Sequence, residues 1–588
     1  MSDDYSVIIK NGIIVDGTGS QPYKGAVAVR GERIDAVGKD VSGTAETIID
    51  AGGHIVSPGF IDVHNHGDSS LLYYPEAQGF TRQGITTFVG GQCGASAAPV
   101  GENVYLAGFY WDFNQRLDPS MYYPYYVHPI EKVNELHNEQ WDWEIDWTTM
   151  GGFFKKVEET GISLNYVPQV GHGAVRYMVM GRDFKREATA DEVKEMQDYV
   201  REAMEDKCQG MSVGRDYDPG IWASREELIE CAKVVAEYGG IYASHSLRSG
   251  HRTARRPGEF PPIGMNGILE AIDVGRQSGA AVQVSHMGSG YRISPGGNRM
   301  VTEAGIMATL KVIDDAQAEG LDVHFDTIPN HLGGGVYASN HLVGSLLPWL
   351  RVAGGRDELA KALRMKDFRE EIKETVWSGK WYGLNPNISV GWAKGKLILK
   401  SSVPDYEGKT VSQIAAEMGK DELDAFMDIL MNDPYAMTGR PRSYNDWTKM
   451  IFYKHPSIMV GVDTYITDHT WACEEPPYYK PNENNFGGFC MYFKRTVRET
   501  GTLSIEDAVW KVSGLPAKKY RLRDRGALKL GAYADIVIMD LENVNPKATA
   551  LEPCIYPEGV EHVFVNGGHV VDNSEHTGAR PGKVLRRE

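Results

Sequence analysis

Eight short apolar runs punctuate the middle of the chain, and longer amphipathic segments separate several of them. The runs lie at Gly59–Val63, Thr86–Gly90, Leu164–Val170, Gly210–Gly214, Ile241–His245, Ala281–His286, Asp322–Ile328 and Ile458–Asp463. Helical periodicity is clearest over Asp191–Lys207, Arg225–Tyr238 and Gly264–Ser278. Strand–helix alternation of this kind marks a parallel sheet, because neighbouring parallel strands need a crossover long enough to hold a helix. Eight units predict that the sheet closes on itself. The expected class is therefore α/β, with a (β/α)₈ (TIM) barrel over residues 58–526. Two stretches, near 95–160 and near 330–457, are too long for plain connections and are expected as insertions around the barrel mouth. The first is dense in aromatics, with Tyr122-Tyr-Pro-Tyr-Tyr126, Trp141-Asp-Trp143 and Trp147. It suits either a cap over an apolar substrate or a contact with a neighbouring subunit.

The two ends have a different texture. Tyr5-Ser-Val-Ile-Ile9, Asn11-Gly-Ile-Ile-Val15, Gly25-Ala-Val-Ala-Val29 and Arg33-Ile-Asp-Ala-Val37 alternate apolar and polar residues between turn signals. Ala534–Asp540 and Glu561–Val571 repeat that pattern at the far end. Neither end is long enough to bury a sheet alone, so residues 1–57 and 527–588 are predicted to meet in one small β-sandwich domain.

A length of 588 residues leaves room for both domains, and 42% hydrophobic with 24% charged residues is ordinary for globular chains. The net charge of −18 argues against a nucleic-acid partner, which needs clustered Lys and Arg. No apolar run is long enough to span a bilayer, and the acidic start Met1-Ser-Asp-Asp-Tyr5 does not read as a secretory signal. The six cysteines, Cys93, Cys208, Cys231, Cys473, Cys490 and Cys554, contain no CxxC pair and are too sparse for a disulfide scaffold. The expected setting is a cytoplasmic homo-oligomer with a small-molecule partner, no nucleic acid and no membrane.

In a barrel of this type the functional groups sit at the carboxyl ends of the strands. The first run ends Val63-His64-Asn65-His66, and residues two apart in an extended chain point the same way. The second runs into Gly90-Gly-Gln-Cys93-Gly94, where flanking glycines let backbone approach a ligand. The fifth ends Tyr242-Ala-Ser-His245, the sixth Gln283-Val-Ser-His286 and the eighth Gly461-Val-Asp463. Taken singly, each could be a buried cysteine or a satisfied core histidine. Together, His64, His66, Cys93, His245, His286 and Asp463 collect on one rim. Imidazole and thiolate suit Zn²⁺, with manganese, iron or cobalt as alternatives. Such an ion lowers the pKa of bound water from 15.7 towards ~7. Asp463 could take that water's proton and return it to a leaving nitrogen.

These motifs carry a resemblance. Ser57-Pro-Gly-Phe-Ile-Asp-Val-His-Asn-His66 resembles the strand-one signature of the amidohydrolase superfamily, and Gly90–Gly94 resembles the bridging-cysteine motif of its D-aminoacylase (N-acyl-D-amino-acid deacylase) branch. Gly171-His-Gly-Ala-Val-Arg176, Gly210–Gly220, Val460-Gly-Val-Asp463 and Ala534-Asp-Ile-Val537 are similar to further segments of that family. The resemblance implies that Cys93, His245 and His286 hold the tighter of one or two Zn²⁺ ions. It implies that His64 and His66 serve a second site bridged by Cys93, and that Asp463 is the acid/base. It also implies hydrolysis of a carbon–nitrogen bond other than a peptide bond. Strand four is followed by Gly214-Arg215-Asp216, with no lysine to bridge two metals, which agrees with a bridging thiolate.

The departures from that branch concern the substrate. His286-Met287-Gly288 stands where the branch commonly has a lysine, Asp326–Asn330 where a tyrosine is expected, and Pro481–Gly488 near the place of a His-Pro-Arg segment. Arg248 follows the strand-five histidine by three residues rather than two. A carboxylate loses its strong partners without charge-assisted bonds, so the clamp for an α-carboxylate is expected to be altered. Arg248, Asn330, His331 and His469 are the expected substrate contacts. His172 suits either the site or the framework, and His331, His341 and His469 are expected on mouth-side loops. Glu270 and Asp273 read as a solvated helix face. Cyclic-amide hydrolysis or deamination on the same metal core remains an alternative activity, and a non-catalytic barrel subunit is the alternative of another class.

Overall fold

The computed structural model describes residues 4–106, 126–139, 141, 143–247, 262–291, 298–329, 341–387, 389–439, 447–476 and 478–588. Eight parallel strands form the barrel. Phe60–Asp62, Ile85–Val89 and Asn165–Val167 make one arc. Val170–Gly171, Gly210–Gly214, Ile241–His245, Ala281–Val284, Val323–Thr327 and Ile458–Val460 make the other, with Val170–Gly171 continuing the third strand beyond Pro168. Proline has no N–H for the ladder, but its carbonyl still accepts from Gln209 N at 2.7 Å. On the other side the ring is closed by Val63 N to Val460 O at 3.3 Å and Asp463 N to His64 O at 2.9 Å.

The strands stand where the eight apolar runs predict them, and several are shorter at the carboxyl end. The cause is local. Cys93, His286 and Asp463 adopt φ values of 57°, 36° and 52°, which turn the chain out of the ladder. Each such residue costs on the order of 1–3 kcal/mol and persists where its surroundings over-determine it. The outer helices begin on side-chain caps, as their sequences indicate. Thr189 and Glu192 form a capping box at Ala190–Glu205, and Ser224 caps Arg225–Glu237.

Strands from both chain ends share one nine-stranded sheet. Ile536–Met539 pairs antiparallel with Ile55–Pro58, which in turn runs parallel to Tyr5–Ile14. The join buries Ile9, Ile14, Val27 and Val56 with Ile536, Ile538 and Phe564. A register shift between Ile9 and Gly12 bulges the first strand, and a Cβ on Gly12 would lie 2.4 Å from Val56 Cγ2. Only glycine fits there.

The described part of the second insertion leaves the barrel after Val323–Thr327 and builds its own core. Leu350 of Leu347–Ala353, Leu359 of Arg356–Ala362, Ile372 of Lys366–Trp377, and Phe426 and Leu430 of Glu422–Asn432 pack together. His341 is buried at the edge of this unit with Nδ1 3.2 Å from Arg356 Nη1, so it is not an open loop residue. In the first insertion, Trp141, Trp143 and His137 pack around Tyr73; the Tyr122–Tyr126 aromatic run lies essentially outside the described residues. Among the described residues no helix is long and apolar enough to cross a membrane.

Candidate metal centre

At the carboxyl ends of the barrel strands, Cys93 is surrounded by imidazoles. Its Sγ lies 3.2 Å from His64 Nε2, 3.3 Å from His245 Nδ1 and 3.4 Å from His286 Nε2. Asp463 Oδ1 lies 3.2 Å from His66 Nε2 and 3.5 Å from His64 Nε2. The donors fall into two groups that share the sulfur: His64, His66, Cys93 and Asp463, and Cys93, His245 and His286. All six residues are buried.

The local chain explains the convergence. His64 and His66 project from one face of the first strand end. Cys93 is delivered by a turn in which Gly91 has φ 69°, and a Cβ on Gly91 would sit 1.9 Å from Gln169 O. That close backbone approach needs glycine. Asp62 pins the start of the His64 segment by accepting from His64 N at 3.2 Å, Asn65 Nδ2 at 2.7 Å and Val462 N at 3.1 Å. Asp326 accepts from His286 N at 2.7 Å and Gln283 Nε2 at 2.8 Å, and its Oδ2 stands 3.9 Å from His64 Nδ1. Asp68 accepts from Gly91 N at 2.9 Å. Tyr217 OH donates to Cys93 O at 3.1 Å and lies 3.3 Å from His245 Nδ1.

Charge in this region is strongly coupled. Burial alone would raise the Cys93 thiol, but the imidazoles of His64, His245 and His286 hold it well below its ordinary value. Burial would likewise raise the Asp463 carboxyl, and His286, His64 and His66 instead drive it far down. Burial opposes protonation of His66, yet hydrogen bonds to Asp463 and Cys93 bring it up to about 9. The flanking Asp62 and Asp326, in contrast, are pushed up by burial to about 7 and about 6. The ionised thiol and carboxyl are balanced here by protonated imidazoles, and a bound cation would supply that positive charge in place of the protons.

The residues fit a borderline-soft divalent cation. Zinc bonds of about 2.0–2.1 Å to nitrogen and about 2.3 Å to sulfur set ligand atoms roughly 3.3–3.6 Å apart in a tetrahedron. The sulfur–nitrogen separations here, 3.2 to 3.4 Å, are close to that edge. His64 Nδ1, facing away from the sulfur, has no hydrogen-bond partner among the described residues and is aimed towards Asp326.

Of the sequence-derived substrate contacts, Arg248, Asn330 and His331 lie outside the described residues. His469 is exposed and its Nδ1 is 3.1 Å from Tyr556 OH, so it is not brought to the buried cluster. His172 belongs to the framework, with Nε2 2.9 Å from Glu227, which also takes Arg176 Nε at 2.8 Å. Glu270 departs from the solvated face expected of it. Its carboxylate receives Arg215 Nε at 2.7 Å and Arg215 Nη2 at 3.0 Å, and Arg215 N donates to His245 O at 2.9 Å. That pair joins residues 55 positions apart, which helical periodicity alone does not reveal. Tyr217, Asp62, Asp68 and Asp326 were missed for similar reasons. The one available signal was their place beside strand ends that carry ligands.

A cavity opens beside His66 and Asp68. Leu72, Tyr73, Val104, Trp143, Ile145, Trp147 and Phe153 give it an apolar, largely aromatic wall, with Ser69 and Ser96 as its hydroxyls.

Residues 47–236 and 472–571 match the amidohydrolase family. An N-acyl-D-glutamate deacylase of Alcaligenes xylosoxydans xylosoxydans is 28% identical, over 100% of this chain and 98% of that protein. A D-aminoacylase of the same organism is 26% identical, over 100% and 98%. Among solved structures, N-acyl-D-glutamate deacylase from Bordetella bronchiseptica, complexed with zinc and a phosphonate inhibitor, superposes with a TM-score of 0.70. It is 27% identical and covers 99% of each chain.

Proposed function

Starting from a chain that belongs to the amidohydrolase family and sides with its D-aminoacylase-like branch, we propose that it hydrolyses an amide bond of an N-acylated small molecule with the help of a divalent metal. The observation that carries this reading is the placement of Cys93 Sγ within 3.2 to 3.4 Å of three imidazole nitrogens, next to the Asp463 carboxylate. Cys93, His245 and His286 would hold one ion, and His64 and His66 would join Cys93 in holding a second. The bound cation supplies Lewis acidity, which polarises a carbonyl and makes water a nucleophile near neutral pH.

The rest is done by the chain's own groups. Asp463 accepts a proton at its carboxylate as water adds to the amide carbon, and returns it to the nitrogen as the C–N bond breaks. His66 Nε2 stands 3.2 Å from that carboxylate, so the ion it would help to hold lies beside Asp463. The buried rim excludes bulk water and strengthens each charge interaction. Tyr217 OH holds the Cys93 turn through Cys93 O at 3.1 Å and stands 3.3 Å from His245 Nδ1, so it helps to position both donors.

The substrate is proposed to differ from a simple N-acyl-D-amino acid. The two buried arginines after strands three and four are already engaged, Arg176 by Glu227 and Arg215 by Glu270, so neither offers its fork to an α-carboxylate. The apolar cavity beside His66 suits a bulky apolar or aromatic group on the substrate. Zinc-loaded protein tested against N-acyl-D-amino acids, aryl amides and cyclic imides decides the matter. Release of a carboxylic acid and an amine from an aryl or apolar amide is expected. Turnover of cyclic imides alone, or release of ammonia, would contradict the proposal.

A further inference from the structure

The hairpin near the carboxyl end carries a second, separate set of convergent donors. His562 lies on Val560–Val565, and His569 and Asp572 lie on Gly568–Asp572. Asn566-Gly567, with φ 47° and 76°, form the two-residue turn that joins the strands and sets their register. Phe564 pairs with His569 and Val563 with Val571, which leaves Val570 as the extra residue of a bulge. The bulge brings His569 to the same face as His562 and Asp572. There His562 Nδ1 is 3.3 Å from His569 Nε2 and 3.3 Å from Asp572 Oδ1, and His569 Nε2 is 3.9 Å from the same oxygen.

Protons on the two rings can satisfy two edges of this triangle, whereas a cation bound by all three atoms satisfies every edge at once. With bonds of about 2.0–2.2 Å, nitrogen and oxygen ligands of tetrahedral zinc lie roughly 3.3–3.5 Å apart. Two of the three edges already match, and the third closes by a few tenths of an ångström at the half-exposed Asp572. Among the charged groups that act on His562 and His569, the others are the Asp572 and Glu561 carboxylates, and both favour a cation. Phe564 stacks on His569 at 4.3 Å between ring centres, with planes 11° apart, and so fixes the ring in its ligating orientation.

We propose that His562, His569 and Asp572 form a surface site for a transition-metal dication of the zinc class. It would clamp the hairpin of the terminal sheet and be independent of the barrel centre. Three protein donors and one side open to solvent suit an ion that completes its shell with water.

Protein with its barrel centre loaded is dialysed against micromolar zinc, and its metal content is measured beside that of H569Q and D572A. The expected result is one zinc equivalent fewer in each variant, with the barrel-bound zinc retained. Added zinc should also raise the Tm of the wild-type protein and not that of the variants. Equal zinc content in the wild type and both variants would overturn the proposal, as would binding that appears only at millimolar zinc. Because Asp572 is half-exposed, D572A keeps the hairpin folded and decides the question even if H569Q does not fold.

Discussion

His66 Nε2 meets Asp463 Oδ1 at 3.2 Å, across 397 residues of sequence and between the first and last strands of the barrel. The contact is made where the ring closes, because Asp463 N also donates to His64 O at 2.9 Å. Barrel closure and the meeting of Asp463 with His64 and His66 are thus one structural event.

Asp463→Asn keeps the shape of this contact and removes the proton acceptor. Turnover of a responsive amide should fall by roughly 10²–10⁴-fold, the range of a lost general acid/base. Elemental analysis should show nearly unchanged metal content.

Cys93 is the atom common to both donor groups. Cys93→Ala should weaken metal binding by more than about tenfold to a hundredfold, the loss recorded even for outer-shell partners. Dialysis against a graded zinc chelator, followed by metal analysis, reads the change. His66→Ala should affect one ion at most, since it belongs to a single group.

Glu227 neutralises Arg176 in the interior, at 2.8 Å, with His172 at 2.9 Å. Glu227→Gln leaves the guanidinium uncompensated and should cost about 3–5 kcal/mol, seen as a lower urea midpoint. Burial opposes ionisation of Glu227, but His172 and Arg176 prevail and lower its pKa. Its contribution is therefore complete above the ordinary glutamate value of about 4.3 and is lost as pH falls further. The stability gap between wild type and variant should narrow below about pH 4.

Leu72 lines the cavity beside His66. Leu72→Phe narrows that space without touching the donor set. It should raise KM for amides with bulky apolar groups and leave the kcat for small acyl substrates unchanged. Equal effects on both substrate classes would place the cavity outside the substrate path.

The barrel was legible because each strand is a short apolar run flanked by helical periodicity, and because the donors sit at run ends, as in His64-Asn-His66 and Ser244-His245. Local signals of that kind survive in one dimension. The truncated strand ends at His286 and Asp463 were not legible, since a left-handed φ at a non-glycine residue leaves no mark in composition. Nor were the long-range pairs. Arg215 with Glu270 and Arg176 with Glu227 look like ordinary helix charges until the fold buries them. His341 reads as a loop residue because the core of the second insertion, in which Leu350 and Phe426 meet, brings together helices far apart in sequence.

X-ray absorption at the zinc edge of metal-loaded protein measures the central relationship directly. A sulfur scatterer at about 2.3 Å together with imidazole nitrogens at about 2.0–2.1 Å is expected, and the sulfur shell should vanish in Cys93→Ala. Zinc surrounded by nitrogen and oxygen alone in the wild-type protein would contradict the account.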